Sequence, residues 1–215
     1  MFKCIVGPVK SEKSKVLIER YNSDSEHTLL FSPYIAQENG MKVKSRYGTE
    51  VNSIPITSIT EVITLLKDYI KNGMKVRTIL IDEIQFVNIL SSTLRDVINY
   101  LLELNIDLIV YGLDMDYKGM PFSSTSICMS LADSVIKVNG YCDICKSHPS
   151  TMSLRLDDGK VVSVKDYKQL IQLDGESNTT YLSVCRECYN KEYKKLDSDI
   201  NIYQEYLNTQ MFSNK

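Results

Sequence analysis

Residues 7–14 read GPVKSEKS and follow the short apolar run FKCIV at residues 2–6. The stretch comes close to the phosphate-binding pattern G-x-x-x-x-G-K-[ST], in which a strand leads through a loop into a helix. Glu12 stands where the pattern has glycine, whereas Lys13 and Ser14 keep its lysine and its hydroxyl. The stretch therefore predicts the strand, loop and helix with which a nucleotide-binding α/β domain begins. The candidate phosphate-binding residues are Gly7, Ser11, Lys13 and Ser14.

Position 12 favours glycine because the loop backbone approaches the phosphates there and takes a positive φ, which a Cβ atom resists. The Glu12 carboxylate also brings negative charge towards a triphosphate. At about 4 Å and an effective dielectric constant near 20, that repulsion is on the order of 4 kcal/mol. Lys10 and Lys15 flank Glu12 in the sequence and can neutralise it, unless its side chain simply points to solvent. The motif alone leaves a working site, a repaired site and a relic as alternatives.

Strand-type and helix-type segments alternate along the next hundred residues. Apolar runs at 28–34, 76–86 and 107–114 predict strands. Amphipathic stretches at 13–21, 58–73 and 93–105 predict helices, the second with Ser58 as N-cap and Gly73 closing it. This alternation predicts a doubly wound α/β domain with a parallel sheet and helices on both faces. Such sheets bind their ligands at the carboxyl ends of the strands, where GPVKSEKS, DEIQF and LDMDYKGMPF lie.

A polar segment, residues 36–53, interrupts the alternation. It carries turn signals at Asn39-Gly40 and at Gly48. The segment predicts a mobile loop or a hairpin.

Asp82 and Glu83 follow the apolar run TILI directly. An acid at the end of a strand that comes after a phosphate loop is the Walker B position, which holds hydrated Mg²⁺ on the phosphates of ATP. Glu83 adds a second carboxylate, suited to accept a proton from an attacking hydroxyl. The alternative is a solvated acidic pair at a strand end. The presence of Lys13 and Ser14 favours the nucleotide site.

Four of the six cysteines form two C-x-x-C pairs, which are Cys142 with Cys145 and Cys185 with Cys188. Four thiolates complete a tetrahedral, closed and therefore structural Zn²⁺ site. Disulfides or free thiols are the alternatives, and His148 is a competing ligand. The residues between the pairs alternate in polarity and turn at 157–159, which predicts a small zinc-binding β-rich module. Cys4 and Cys128 lie in apolar runs and are predicted to be core residues.

Composition argues against two classes of partner. The formal net charge of -2 and the pI near 5.8 give no broad basic field, so direct nucleic-acid binding is not expected. No cleavable signal pattern begins the chain, and charges interrupt every apolar run well before the roughly 18 residues of a membrane span. We expect a cytoplasmic protein that binds a small molecule and no membrane.

Several motifs together resemble one family. GPVKSEKS, IDEIQF, YGLDMDYKGMPF, LADSVIK, the two C-x-x-C pairs and TTYLSVCRECY occur in the order and approximate spacing of the type II thymidine kinase family, over roughly residues 1 to 190. The resemblance implies a P-loop NTPase-like α/β domain and a zinc-bearing domain whose long loop, the lasso, closes over the thymidine base. It also implies transfer of the ATP γ-phosphate to the 5′-hydroxyl of thymidine, with Mg²⁺, dTTP as a possible feedback ligand, and a homo-oligomer, usually a tetramer.

The resemblance also assigns residues. It makes Glu83 the general base, places Lys13 and Ser14 on the phosphates and Mg²⁺, and makes Asp82 the acid on the magnesium side. Tyr181 would close the lasso onto the nucleoside. Core packing is the alternative role for the aromatic residues among the pocket candidates. The residues implied to line the thymine pocket are Phe86, Leu113, Tyr117 and Phe122.

The chain departs from the family pattern at the phosphate side. An acid and an arginine that the family carries in the loop after the second strand correspond here to Ala36 and Glu38. A non-catalytic relative that binds a nucleoside, a nucleotide or a protein partner is therefore the alternative to the kinase. The other departures are Lys10, Glu12 and Lys15 in the phosphate loop, Tyr117 in place of phenylalanine and Lys118 in place of arginine.

The predicted organisation has three parts. Residues 1–138 form the nucleotide-binding α/β domain and 139–195 the zinc-binding lasso domain. Residues 196–215 form a helical tail, with Leu196, Ile200, Tyr203 and Leu207 on one stripe suited to docking or oligomer contact.

Overall fold

The computed structural model describes residues 1–36, 41–163 and 178–196. Its main feature is a six-stranded sheet with all strand pairs parallel, in the order β5-β2-β6-β7-β1-β8. The strands of this sheet are β1 (Phe2–Val6), β2 (Thr28–Pro33), β5 (Ile54–Ile56), β6 (Thr78–Ile81), β7 (Asp107–Gly112) and β8 (Ser134–Lys137). The predicted helical tail beyond residue 196 lies outside the described residues.

Helices cover both faces of the sheet, as predicted. Successive strand residues point to opposite faces, so Leu29 and Phe31 of β2 join one buried cluster and Leu30 joins the other. The first cluster lies under α2 (Ile59–Lys71), α3 (Ser91–Glu103) and α4 (Ser123–Leu131). The second lies under α1 (Lys13–Ser23). Cys4 and Cys128 are fully buried in the first cluster, which confirms their prediction as core residues.

Helix α2 begins where the sequence indicates. The Ser58 hydroxyl accepts a hydrogen bond from the Thr60 N–H, and Glu61 caps the N–H of Ser58 in return. The helix ends at Lys71 and Gly73 follows with a φ of 89°. None of the described helices is long and apolar enough to cross a membrane.

The segment before β5 forms a two-stranded hairpin of β3 (Lys42–Lys44) and β4 (Glu50–Asn52). Buried Val43 packs with Leu17 and Ile18 of α1. The base of the hairpin is thus fixed to the helix that follows the phosphate loop. The turn predicted at Asn39-Gly40 lies outside the described residues.

The cysteine pairs flank a second, antiparallel sheet of β10 (Lys160–Val161), β9 (Met152–Asp157) and β11 (Thr179–Val184). Strands β9 and β10 are joined through Asp158 and Gly159, both with positive φ, as the turn signal indicates. Helix α5 (Arg186–Leu196) packs Tyr189 and Tyr193 on Met152 and Leu154 of this sheet.

Candidate active site

The phosphate loop runs from the end of β1 to the start of α1. Lys10 and Glu12 take positive φ, at 61° and 64°, and Glu12 is the N-cap residue of the helix. Alternating backbone conformations of this kind turn N–H groups inward and form anion-binding concavities, and the first turn of a helix adds its own N–H groups. The loop therefore has the backbone of a phosphate site although Glu12 replaces glycine. A residue with a Cβ in this conformation costs about 1 kcal/mol relative to glycine.

Lys13 is held inside the loop. Its Nζ donates to the carbonyl oxygens of Gly7 and Pro8, at 3.0 and 2.8 Å, and to the Ser11 hydroxyl at 3.1 Å. Burial lowers the pKa of Lys13, while the carboxylates of Glu83, Asp82 and Asp114 act in the opposite direction. The ammonium group thus lies at the loop, within the field of the acids at the ends of β6 and β7.

Glu12 is paired at the rim of the cleft. Its side chain is 49% exposed, with Oε2 3.5 Å from Lys15 Nζ and Oε1 accepting a 2.6 Å hydrogen bond from the Tyr47 hydroxyl. These two contacts, the tyrosine hydrogen bond first, hold the pKa of Glu12 below its usual value. The carboxylate is therefore paired with Lys15 and Tyr47, and the positive charge of Lys15 offsets part of the expected repulsion.

Of the two lysines expected to neutralise Glu12, only Lys15 does so. Lys10 pairs instead with Asp143, at 3.4 Å between Nζ and Oδ2. The left-handed backbone at Lys10 carries its side chain towards the cysteine module, which consists of the two C-x-x-C turns, the β9–β11 sheet and α5. Asp143 in turn accepts a 2.9 Å hydrogen bond from the N–H of Ser183, which comes just before Val184 and Cys185.

A second contact joins the phosphate loop to the module. The N–H of Val9 donates to the Ser153 hydroxyl at 3.1 Å. Ser153 is buried on β9. The loop is thus held from β9 and from the first C-x-x-C turn, so its conformation depends on the folded module.

Asp82 and Glu83 lie at the carboxyl end of β6, next to the loop. Asp82 is 5% exposed, and burial together with the negative charge of Glu83 raises its pKa to about 8. Glu83 is half-buried, with a φ of 48°, and opens the short 3₁₀ turn Ile84–Phe86. The strained backbone turns Glu83 into the crevice that the phosphate loop faces.

Gln85, which the sequence did not single out, orients Glu83. Its Nε2 donates to Glu83 Oε2, and its Oε1 accepts the Leu113 N–H at 3.0 Å. Gln85 is 7% exposed, so its amide is fixed between the ends of β6 and β7. The only sequence signal for this role is the position of a glutamine two residues after the candidate base.

Gly112 makes room for this amide. A Cβ atom there would lie 2.5 Å from Gln85 Oε1 and 2.8 Å from Ile84 Cγ2. We expect Gly112→Ala to displace Gln85 and Glu83, lowering kcat at least tenfold and stability by roughly 1–3 kcal/mol. Val110→Ala on the same strand should lower stability with kcat retained. Steady-state kinetics and thermal unfolding of both variants check this, and a Gly112→Ala protein with wild-type kcat would contradict it.

The loop, Glu83 and Leu113 line one cleft of about 720 Å³. This volume lies within the roughly 300–1,000 Å³ of small-molecule sites. The hairpin contributes its 44–48 segment to the same cleft, which the sequence did not indicate. Of the described residues that line the cleft, the predicted thymine-pocket set contributes only Leu113.

Phe86 follows β6, whereas Tyr117 and Phe122 follow β7. Phe86 and Phe122 meet edge to face, with ring centroids 6.2 Å apart, and both are half-buried. Tyr117 is 3% exposed, between Lys118 and the guanidinium of Arg155, which lie 5.5 and 5.4 Å from its ring centroid. Phe86 and Phe122 thus keep exposed edges, whereas Tyr117 is packed.

Tyr117 is tied to the cysteine module. Its carbonyl oxygen accepts hydrogen bonds from the hydroxyls of Tyr189 at 2.8 Å and Tyr193 at 3.1 Å. Tyr181 lies on β11 opposite Arg155 of β9, the residue that stacks on Tyr117. The position of the predicted pocket tyrosine therefore depends on α5 and on the β9–β11 sheet.

The four module cysteines converge. Their Sγ atoms all lie within 4.8 Å of one another, and Cys145 and Cys185 are 4.0 Å apart. Zn–S bonds of about 2.3 Å in a tetrahedron place sulfurs about 3.8 Å apart, whereas a disulfide needs about 2.05 Å. The N–H groups of Cys145 and Cys188 donate to the sulfurs of Cys142 and Cys185, at 3.5 and 3.4 Å. This cluster can hold a metal ion.

His148 lies beside the cluster. Its Nδ1 is 3.6 Å from Cys145 Sγ and lowers the pKa of that thiol to about 5. The imidazole thus contacts one sulfur without being needed as a ligand, because four cysteines suffice for a tetrahedral metal site.

The substituted loop after β2 is described only in part. Its first residues, Tyr34–Ala36, form a short 3₁₀ turn. Glu38 lies outside the described residues. Asp114, which the sequence did not single out, is 7% exposed, with Oδ2 3.2 Å from Lys137 Nζ.

A phosphate loop at the carboxyl end of a parallel sheet, with two acids at the end of β6 and a four-cysteine module, defines a phosphate-loop α/β nucleotide-binding protein. The family model described as Thymidine kinase matches residues 1–189. A thymidine kinase of Pseudothermotoga lettingae is 31% identical over 197 residues, 90% of this chain and 96% of that protein. A thymidine kinase of Ureaplasma urealyticum is 30% identical over 203 residues, which are 91% of this chain and 86% of that protein. The chain belongs to the thymidine kinase family.

Proposed function

We propose that this protein is an active thymidine kinase, which transfers the γ-phosphate of ATP to the 5′-hydroxyl of thymidine. The observation that supports this best is that Lys13 and an oriented Glu83 line one cleft, with the buried carboxylate of Asp82 within their electrostatic reach. These are the groups that phosphoryl transfer needs, since it depends on positioning and on stabilisation of charge. The family and the two thymidine kinases that resemble the chain supply the substrate class.

In this proposal Glu83 is the general base. Its carboxylate takes the proton of the 5′-hydroxyl while that oxygen bonds to the γ-phosphorus, and the bond from phosphorus to the bridging oxygen of ADP breaks. Gln85 holds one carboxylate oxygen, so the other is directed at the hydroxyl. Lys13 and the N–H groups of the loop neutralise the phosphate oxygens.

Asp82 and Ser14 are the proposed magnesium-side residues. A buried carboxylate whose pKa is raised by a second carboxylate gains from a divalent cation, and oxygen donors suit Mg²⁺. When bound, Mg²⁺ neutralises phosphate charge. Zn²⁺ is the metal proposed for the four cysteines, with a structural role because all four ligands come from the protein.

The nucleoside side of the proposal rests on Phe86, Leu113 and Phe122, with Tyr117 as a fixed wall and Tyr181 at the lasso. Phe86 and Phe122 are both half-buried, so part of their aromatic surface stays accessible for contact with a base. Feedback by dTTP and a homotetramer remain proposals that follow from the family alone, as does a cytoplasmic location.

A non-catalytic binder is the second candidate, favoured by Ala36 at the position of an acid. Thermal shifts separate the two. Stabilisation by thymidine and also by Mg-ATP is the result expected for the kinase. Stabilisation by thymidine or dTTP alone would favour the binder.

Position 12 gives a separate prediction. Because the Glu12 carboxylate is already paired with Lys15 and Tyr47, we expect the wild-type protein to bind Mg-ATP in the micromolar to millimolar range. We also expect Glu12→Gly to bring no gain in ATP affinity. Calorimetric titration of both forms checks this, and a gain of tenfold or more would identify Glu12 as the defect of the loop.

A further inference from the structure

The β3–β4 hairpin reaches the phosphate loop through a defined turn. The N–H of Ser45 donates to Thr49 O at 2.8 Å and the N–H of Gly48 donates to Ser45 O at 3.1 Å. Gly48 has a φ of 82°, which closes the turn. Arg46 and Tyr47 therefore occupy the two central positions of the turn, at the tip of the hairpin.

Three side chains connect this tip to the loop, and we name them the tip latch: Glu12, Lys15 and Tyr47. The Tyr47 hydroxyl donates to Glu12, and Lys15 Nζ lies 3.5 Å from Glu12 and 5.2 Å from the centroid of the Tyr47 ring. With the base of the hairpin fixed on α1 through Val43, the latch holds the tip at the cleft from a second point.

The latch leaves Arg46 at the cleft beside the phosphate site. Arg46 and Lys44 both line it, and Arg46 contributes to the lowered pKa of Lys13. Among the described residues that line the cleft, five are cationic, namely Lys10, Lys13, Lys15, Lys44 and Arg46, and two are acidic, namely Glu12 and Glu83. A surplus of three positive charges suits a polyanion, and a guanidinium binds phosphate oxygens in a fork.

We propose that Arg46 is a further phosphate-binding residue for ATP, held over the phosphate loop by the tip latch. This inference rests on the proposed kinase function and adds a residue from the hairpin to its triphosphate site. Glu12 then has a role that glycine could not fill, because its carboxylate fixes the hairpin that carries Arg46.

The test is calorimetric titration of the full-length, zinc-replete protein with Mg-ATP and, separately, with adenosine. We expect Arg46→Ala to weaken Mg-ATP binding about tenfold or more and to leave adenosine binding unchanged, since adenosine carries no phosphate. Arg46→Lys should recover part of the loss. Arg77→Ala is the matched control, because Arg77 is exposed and precedes β6 at the opposite edge of the sheet.

The latch is tested by Tyr47→Phe, which removes only the hydroxyl. We expect about threefold weaker Mg-ATP binding in the wild-type background and no further loss in the Arg46→Ala background, because the two residues act as a unit. Additive losses would overturn the latch.

Three results would each overturn the role of Arg46. The first is an equal loss of Mg-ATP affinity in Arg46→Ala and Arg77→Ala, and the second is an equal loss of adenosine affinity in Arg46→Ala. The third is Mg-ATP binding that Arg46→Ala leaves unchanged. Failure of the wild-type protein to bind Mg-ATP would instead overturn the proposed function itself. Thermal midpoint and zinc content, measured on each variant, show whether it remains folded.

Discussion

Replacing Glu83 by glutamine is expected to lower kcat by roughly two to four orders of magnitude and to leave thymidine affinity nearly unchanged. Glutamine keeps the size of the side chain and an oxygen that can accept from Gln85, but it cannot take the hydroxyl proton. Steady-state kinetics with direct thymidine titration measure both quantities. The effect should therefore fall on turnover and not on binding.

A matched control separates this chemistry from a general effect of charge. Glu103→Gln alters an exposed residue at the end of α3 and should leave kcat unchanged. An unchanged kcat in Glu83→Gln would remove Glu83 from the mechanism, and a parallel loss of thymidine affinity would assign it a binding role.

Cys185→Ser is expected to release the metal and to loosen the chain from about residue 140 onwards. The free energy of zinc binding is folding free energy for a module of this kind, and three remaining ligands retain the ion poorly. Cys185 also directly follows β11, whose Ser183 N–H donates to Asp143. Zinc analysis and hydrogen exchange measure the two effects. Wild-type protein that purifies without zinc would contradict the account.

The same substitution should reach the phosphate loop. Loss of the module removes the partners of Val9 and Lys10, which are Ser153 and Asp143, so Mg-ATP affinity should fall with the metal. Cys128→Ser makes the same thiol-to-hydroxyl change in the core cluster, away from the metal ligands. It should lower stability and keep both zinc and Mg-ATP binding.

Elements with strong local signals could be predicted from the sequence. Helix α2 has a capping box at Ser58 and an apolar stripe that buries Ile59, Val62 and Leu66. Strand β6 is an unbroken apolar run ending in Asp82. The cysteine pairs converge because each C-x-x-C is a local turn, and the pattern needs only one long-range contact to bring the pairs together.

Elements without such signals were missed. Helix α4 reads SSTSICMSL, and its serines and threonines are poor helix formers in the sequence. Strands β5 and β8 are only three and four residues long, and β8 is an edge strand with Val135 and Ile136 both 41% exposed. Tertiary pairing with β2 and β1 makes them strands.

The residues of the candidate site also divide into those with a local sequence signal and those without one. Lys13 begins the helix after the phosphate loop, and Asp82 and Glu83 follow β6, so a motif and an apolar pattern suffice to predict that the three lie close together. The partner of Lys10 could not be read from its neighbours, because Asp143 belongs to the module. Tyr47 and Arg46 reach the loop only through the packing of Val43 on α1.

Direct phosphotransfer is the measurement that tests the central claim most directly. Zinc-replete protein, incubated with thymidine and Mg-ATP, is predicted to form thymidine 5′-monophosphate and ADP in equal amounts, and Glu83→Gln is predicted to form almost none. Protein that binds both thymidine and Mg-ATP, keeps its zinc and still forms no thymidine 5′-monophosphate would contradict the assignment of this chain as a kinase.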